Sequence, residues 1–235
     1  MDAPASGRRR VIRLRYTIAG ALAFCLGACV SVLPEADPAA ARYGIEAVGS
    51  DALSGDGAPA GWSLAIEDPV ATRAIDVSKI ALVKSGSEYA YYAGGEWSDR
   101  APRLVQLALV RSFQNSGRIV AVGGRTSQPI ADFGLQLDVR SFEADATGAL
   151  SAHVAIYARL TDVRGEVYGA RLFEARRPVA RDNPAAVASA LNEVMTELTP
   201  QIVDWAIVTG SSSDDARQSR KSRRRGAIDA VPTNS

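Results

Sequence analysis

The two cysteines, Cys25 and Cys29, stand close together near the start of the chain, and none follows them. No disulfide can therefore staple the rest of the molecule. With His153 as the single histidine, a Cys/His zinc site is excluded as well. Whatever folds downstream must rest on an apolar core. The 235 residues supply one, with 47% hydrophobic and 23% charged, and this excludes wholesale disorder, a collagen-like repeat and a coiled-coil rod. The length corresponds to one or two domains.

The surroundings of the cysteines explain their position. Arg8, Arg9, Arg10, Arg13 and Arg15 form a basic leader, and residues 16–26 form an apolar run. At 1.5 Å per helical residue such a run is too short for a ~30 Å hydrocarbon core, but it suits a signal peptide. Leu26-Gly27-Ala28-Cys29 follows, an aliphatic residue and two small ones before a Cys. That is the lipobox pattern of bacterial lipoproteins. The Cys29 thiol takes a diacylglyceryl group, and Gly27 and Ala28 admit the backbone to the peptidase that cuts before Cys29. Further acylation, typically palmitate, makes the anchor stable. Cys25 has no small pair before it and leaves with the leader. Val30, rather than Asp, follows Cys29 and points to the outer membrane. The expected organisation is a signal peptide over 1–28, the lipidated Cys and a tether over 29–41, one domain over 42–209, and a disordered basic tail over 210–235. Pro34 and Pro38 punctuate the tether, whose reach is roughly 20 Å.

Charge is unevenly divided. Residues 42–209 carry 16 basic and 20 acidic residues, whereas 210–235 carry six and three. A mildly acidic body argues against nucleic acid as a partner. The tail reads as a solvated extension, so its removal is expected to leave thermal stability unchanged.

Hydrophobic periodicity outlines an α/β domain. Strands are expected over 42–48 and 62–66, with a hairpin formed by 79–84 and 88–92 around Ser85-Gly86-Ser87. A helix follows over 101–116, capped by Asp99, with Pro102 in its first turn and Gly117 as its stop. Residues 119–122 form a strand. In 132–140 the apolar residues are odd-numbered, but Phe142 is even, so a bulge is expected near 140–141. Strands 150–160 and 166–176 pair antiparallel around Asp162-Val163-Arg164-Gly165. Pro184 opens the last helix, with Asp182 or Asn183 as its cap. Its stripe of Val187, Leu191, Val194, Leu198, Ile202 and Trp205 passes Pro200, which must bend or split it, and ends at Gly210.

Catalytic motifs are scarce. Gly123-Gly124-Arg125 reads as a turn, since no helix pattern follows to make a phosphate cradle. His153 lies on the polar phase of its strand, as a solvent-facing or interface residue, and no Gly-x-Ser-x-Gly elbow exists for it to serve. Asp68/Asp76 and Glu143/Asp145 are candidate carboxylate pairs whose default is solvation. No catalytic residue, metal ligand or cofactor is assigned. Tyr89, Tyr91, Tyr92 and Trp97 cluster instead. Tyr89 and Tyr91 share one strand face and Tyr92 takes the other. Core packing of the hairpin accounts for them; so does an exposed aromatic surface, in which Tyr89, Tyr91 and Trp97 are the candidate partner interface.

The run from Tyr89 through Trp97 to Pro102, with Leu104-Val105-Gln106 and Phe113, resembles the ABC-type transport auxiliary lipoprotein family. The Tyr43 strand after the lipidated Cys is similar too, as is Phe133 to Phe142 followed by two strands and a terminal helix. The resemblance implies a mixed, largely antiparallel sheet with two main helices packed on it, like the N-terminal domain of TolB. It also implies a non-enzymatic periplasmic lipoprotein anchored in the outer membrane. Its partners would be an MCE-domain protein and an ABC permease/ATPase complex that moves lipids or other hydrophobic molecules between membranes. A homo-oligomer is left open. The loop 49–61 and the tail 210–235 depart from the family pattern. Two other readings compete: a structural envelope lipoprotein that binds an assembly machine or cell-wall polymer, and a lipid-anchored hydrolase using His153.

Cys29→Ser should abolish lipidation, because a hydroxyl cannot replace the thiolate nucleophile. Metabolic labelling with a fatty acid should mark the wild type and Cys25→Ser but not Cys29→Ser; equal label in all three would refute the assignment.

Overall fold

A thirteen-residue strand, Phe133–Asp145, organises the sheet. The computed structural model describes residues 40–53, 55, 59–85 and 88–229. The expected signal peptide, Leu26, Gly27, Ala28, Cys29 and nearly all of the tether lie outside them. In chain order the strands are β1 (Ala41–Tyr43), β2 (Ala60–Ile66), β3 (Val70–Ala71), β4 (Lys79–Val83), β5 (Tyr89–Trp97), β6 (Ile119–Gly124), β7 (Phe133–Asp145), β8 (Ser151–Asp162) and β9 (Val167–Pro178). The helices are α1 (Ala101–Ser116) and α2 (Pro184–Asp229), with a single 3₁₀ turn at Ser50–Ala52.

One edge of β7 pairs in succession with β2, β3 and β4, all parallel to it. The other edge pairs antiparallel with β8 along its whole length, and β8 pairs with β9. β2 carries β6, and β4 carries β5 and then β1. The result is the expected mixed α/β fold, with a mostly antiparallel sheet and two helices.

The phase switch in β7 is a bulge. Val139 faces Ile156 whereas Ser141 faces Ala155, so Arg140 is the extra residue. Phe133, Leu135, Leu137 and Val139 precede it on the buried face, and Phe142 and Ala144 continue that face beyond it. The even residues of β8 from Ala152 to Leu160 join them beneath both helices.

α1 is apolar at Leu104, Val105, Ala108, Leu109 and Phe113, all buried. Gly117 ends it at φ 61°. Its start differs from expectation. Arg100 is the N-cap, and Asp99 only accepts a bond from the Arg100 amide at 2.7 Å. The backbone carbonyl of Val77 takes the Ala101 amide instead. α2 is capped by Asn183, whose Oδ1 accepts the Ala186 amide at 2.9 Å. Asp182 is engaged elsewhere, by the Tyr92 hydroxyl. Pro200 sits inside α2 without splitting it.

Two expectations fail for reasons of packing. β1 stops at Tyr43, because the chain then crosses the helices rather than the sheet. Its backbone groups are met by helix side chains: the Glu46 amide by Asn192, the Val48 amide by Ser112, and the carbonyls of Gly44 and Val48 by Asn192 and Asn115. α2 does not stop at Gly210. A Cβ there would lie 2.6 Å from Cζ2 of Trp62, so the glycine admits an indole ring against the helix. Trp62 Nε1 donates to Ser211 Oγ at 3.4 Å, and the Arg217 guanidinium stacks over Phe133 at 4.2 Å. Part of the expected disordered tail is thus helix, and its first two turns lie against the domain.

Gly210→Ala would ordinarily stabilise a helix by ~1 kcal/mol. Here Trp62 is 2% exposed and packs on Phe133, so it cannot yield freely. The substitution should cost about 1–2 kcal/mol in thermal unfolding, and Trp62→Leu in the same chain should abolish that cost. Deleting 211–235 should lower the melting temperature, because Ser211 and Arg217 go with it.

Candidate functional site

Both helices pack on one face of the sheet, and among the described residues the opposite face carries no helix. Register lines up its residues. Tyr91, Ala81, Glu143, His153 and Arg176 form one row across β5, β4, β7, β8 and β9. Tyr89, Val83, Asp145, Ser151 and Pro178 form the next.

Tyr89 and Tyr91 are the exposed aromatic residues of this face, at 38% and 40%. The Tyr91 hydroxyl donates to the Ala74 carbonyl at 3.3 Å, and Lys79 Nζ lies 5.6 Å from its ring centre. The Tyr89 phenol titrates above its ordinary range, chiefly through burial, with Glu143 and Tyr91 adding to the effect. Tyr92 faces the helices, and its hydroxyl bonds Asp182 at 2.7 Å. Trp97, grouped with Tyr89 and Tyr91 by sequence, is not with them. It is 2% exposed and packs on Phe142 with ring centres 5.4 Å apart. Ala81 faces Tyr91 but Lys79 faces Glu96, so β5 carries three residues more than β4 across that stretch, including Gly94 at φ 74°. An odd number of extra residues turns the strand over and sends Trp97 into the core.

His153 is not solvent-facing. It is 8% exposed, with Nε2 2.8 Å from Glu174 Oε1 and Nδ1 3.5 Å from Glu143 Oε1. Glu143, itself 3% exposed, also accepts the Phe142 amide at 2.7 Å. The Glu143 carboxylate is the main cause of a raised His153 pKa; Glu174 adds to it, while burial and Arg176 oppose it. An imidazole with each ring nitrogen facing a carboxylate has neither one open toward a substrate, and is poorly placed to act as a base.

The candidate carboxylate pairs are separated in the same way, each acid facing its own cation. Asp76 binds Arg100 at 2.7 Å and Asp68 lies 3.6 Å from Arg103. Asp145 binds Thr147 and, at 2.6 Å, Arg176, and these contacts bring its pKa down to about 2. Gly123-Gly124-Arg125 leads into a turn in which the Ser127 and Gln128 amides bond the Gly124 carbonyl, and Arg125 pairs with Glu67. A cleft of about 630 Å³ lies beside β3, lined by Glu67, Asp138, Arg140 and Tyr157 among others. Its charges largely pair within it: Arg125 with Glu67, and Arg140 with Asp138 while stacking on Tyr157.

Residues 43–203 match the family described as the ABC-type transport auxiliary lipoprotein component. The chain belongs to that family. A solved relative, the protein XCC0632 of Xanthomonas campestris, is 27% identical with a TM-score of 0.67, covering 76% of this chain and 99% of that one. A second solved structure, of an uncharacterized protein, shares the fold at a TM-score of 0.55 and 15% identity, covering 71% and 98% of the two chains. The uncharacterized protein bll6063 of Bradyrhizobium diazoefficiens is 27% identical over 146 residues, 62% of this chain and 40% of that protein. The matched stretch therefore spans less than half of that relative's length. Among the described residues no helix is long and apolar enough to cross a membrane. The family description supports a lipoprotein that serves an ABC transport system.

The His153 cluster should make stability depend on pH. Its folded pKa lies above the ~6.5 of an unfolded His, so its contribution is complete below about pH 6.5 and is lost as pH rises through the folded value. His153→Ala should remove that dependence. It should also cost about 3 kcal/mol, because Glu143 stays buried without its partner, and Glu143→Gln should recover part of the loss. Thermal melts across this pH range would read both effects.

Proposed function

We propose that this chain is a non-enzymatic adaptor, held by its acylated Cys29 at the periplasmic face of the outer membrane. It serves an ABC permease/ATPase complex through an MCE-domain protein, and the system moves lipids or other hydrophobic molecules between the two membranes. The family match over 43–203 carries this reading, and the lipobox at Leu26-Gly27-Ala28-Cys29 agrees with it. The helix-free sheet face is the docking surface, with Tyr89 and Tyr91 as its aromatic anchors. Aromatic residues carry a large share of binding energy at interfaces, and these two stand out on a face whose nearest charges are neutralised internally.

The paired state of the polar groups favours an adaptor over a hydrolase. Glu143 and Glu174 occupy His153, Arg176 occupies Asp145, and Arg100 occupies Asp76. The site needs no cofactor under this reading.

Tyr89→Ala with Tyr91→Ala should reduce co-purification of the MCE-domain partner at least tenfold, a loss of roughly 1.4 kcal/mol or more, while the melting temperature stays within a few degrees. Trp97→Ala should instead unfold the domain at lower temperature, by roughly 3–5 kcal/mol of stability. Undiminished capture by the double variant would move the interface elsewhere. Capture of cell-wall polymer with no MCE protein would favour the structural envelope reading.

A further inference from the structure

The family match ends at residue 203, but α2 continues to Asp229. Arg217 still packs against the domain, over Phe133 and Tyr168. Every residue from Gln218 to Arg223 is exposed, so the helix there stands clear on all sides. Arg220, Lys221, Arg223, Arg224 and Arg225 place five cations within six positions. From Gly210 to Ala227 no apolar side chain is larger than that of Ala.

Such a helix has no apolar stripe to bury and its cations repel one another, while their position at a helix C-terminus suits the dipole. Anionic counter-charge from outside would steady it. The tip is also far from where the chain enters the domain. Ala41 pairs with Gly95, and a Cβ on Gly95 would come within 2.5 Å of Pro184, the first residue of α2. Measured along the helix, Arg220 lies about 54 Å from Pro184.

We propose that the basic end of α2 is an electrostatic docking site for an anionic phospholipid bilayer. The protein is then held to membrane in two ways: by the acyl chains of Cys29, and by the cations of the tip. The first attachment rests on the lipoprotein reading; the second rests on the charge and exposure of α2 alone. A bilayer fits better than an acidic protein. The segment lacks the aromatic and aliphatic anchors of a protein interface, and its dense positive charge suits an anionic surface.

The full-length lipidated protein, reconstituted in vesicles of phosphatidylcholine alone or with phosphatidylglycerol, tests this by the rate of trypsin cleavage at Arg220–Arg225. Phosphatidylglycerol should slow cleavage at least tenfold, because cations held at the anionic surface must detach before the chain can be cut. Molar salt should restore the rate. Replacing Arg220, Lys221, Arg223, Arg224 and Arg225 by Gln and reading tip position by a fluorophore on Ser222→Cys should show no approach to either vesicle. Equal cleavage in both vesicles overturns the proposal, as does protection in both, or protection that appears only when an acidic partner protein is added. Should Cys29 carry no lipid, sedimentation of the unlipidated chain with phosphatidylglycerol vesicles, and not with phosphatidylcholine alone, still reads the tip by itself; its absence there overturns the proposal.

Discussion

Every other strand of the sheet takes its place, directly or through one or two neighbours, from β7. One edge holds three parallel strands end to end, and the other holds a single antiparallel strand of matching length. A flat strand could not serve two groups of neighbours that diverge. The extra residue Arg140 increases the local twist and lets the first half of β7 belong to β2 and the second half to β4. It also keeps the core continuous. Without it Phe142 and Ala144 would point to the helix-free face, and Glu143 would be driven beneath α2 without His153.

That division gives the two faces different chemistry. The helix-covered face buries the aliphatic residues of β7, β8, α1 and α2 in one cluster. The opposite face is closed by charge pairing: His153 between Glu143 and Glu174, and Asp145 with Arg176. Pairs of this kind are costly to break but add little net attraction for a partner. The accessible apolar residues on that face include Tyr89, Tyr91, Val70 and Leu172.

Much of this was legible because it depends on neighbours along the chain. The bulge appears as a one-residue change of apolar phase, the end of α1 as Gly117, and the opposed faces of Tyr91 and Tyr92 as alternation. What escaped depends on neighbours across space. The polar phase of His153 was correctly placed, but its burial follows from the register of β7 and β9, which sets Glu143 opposite it and Glu174 diagonal to it. Trp97 lies in the same apolar and aromatic run as Tyr91, and only the pairing with β4 reveals the bulge that turns it inward. β3 is two residues long, too short for any periodicity to register. Gly210 carries the same letter whether it ends a helix or admits a ring, and Trp62, which decides between the two, lies 148 positions away.

The length of α2 then links these parts. Its first turns pack beside β1 and β5, where the chain enters, its middle spans β8 and β9, and Gly210 seats it on Trp62 at the end of β2. The tip begins only after those contacts are made. The body that α2 crosses carries 16 basic and 20 acidic residues, whereas the segment from 210 onward carries six and three. Separating opposite charges along a helix of this length gives the molecule a permanent electric dipole roughly along α2. Near an anionic surface the acidic body is repelled and the basic tip attracted, so the field turns the molecule before any contact forms, within the ~8 Å over which physiological salt lets such charges act. Because α2 is seated on the domain through Arg217 and Trp62, the field acting on the tip would carry the face bearing Tyr89 and Tyr91 with it.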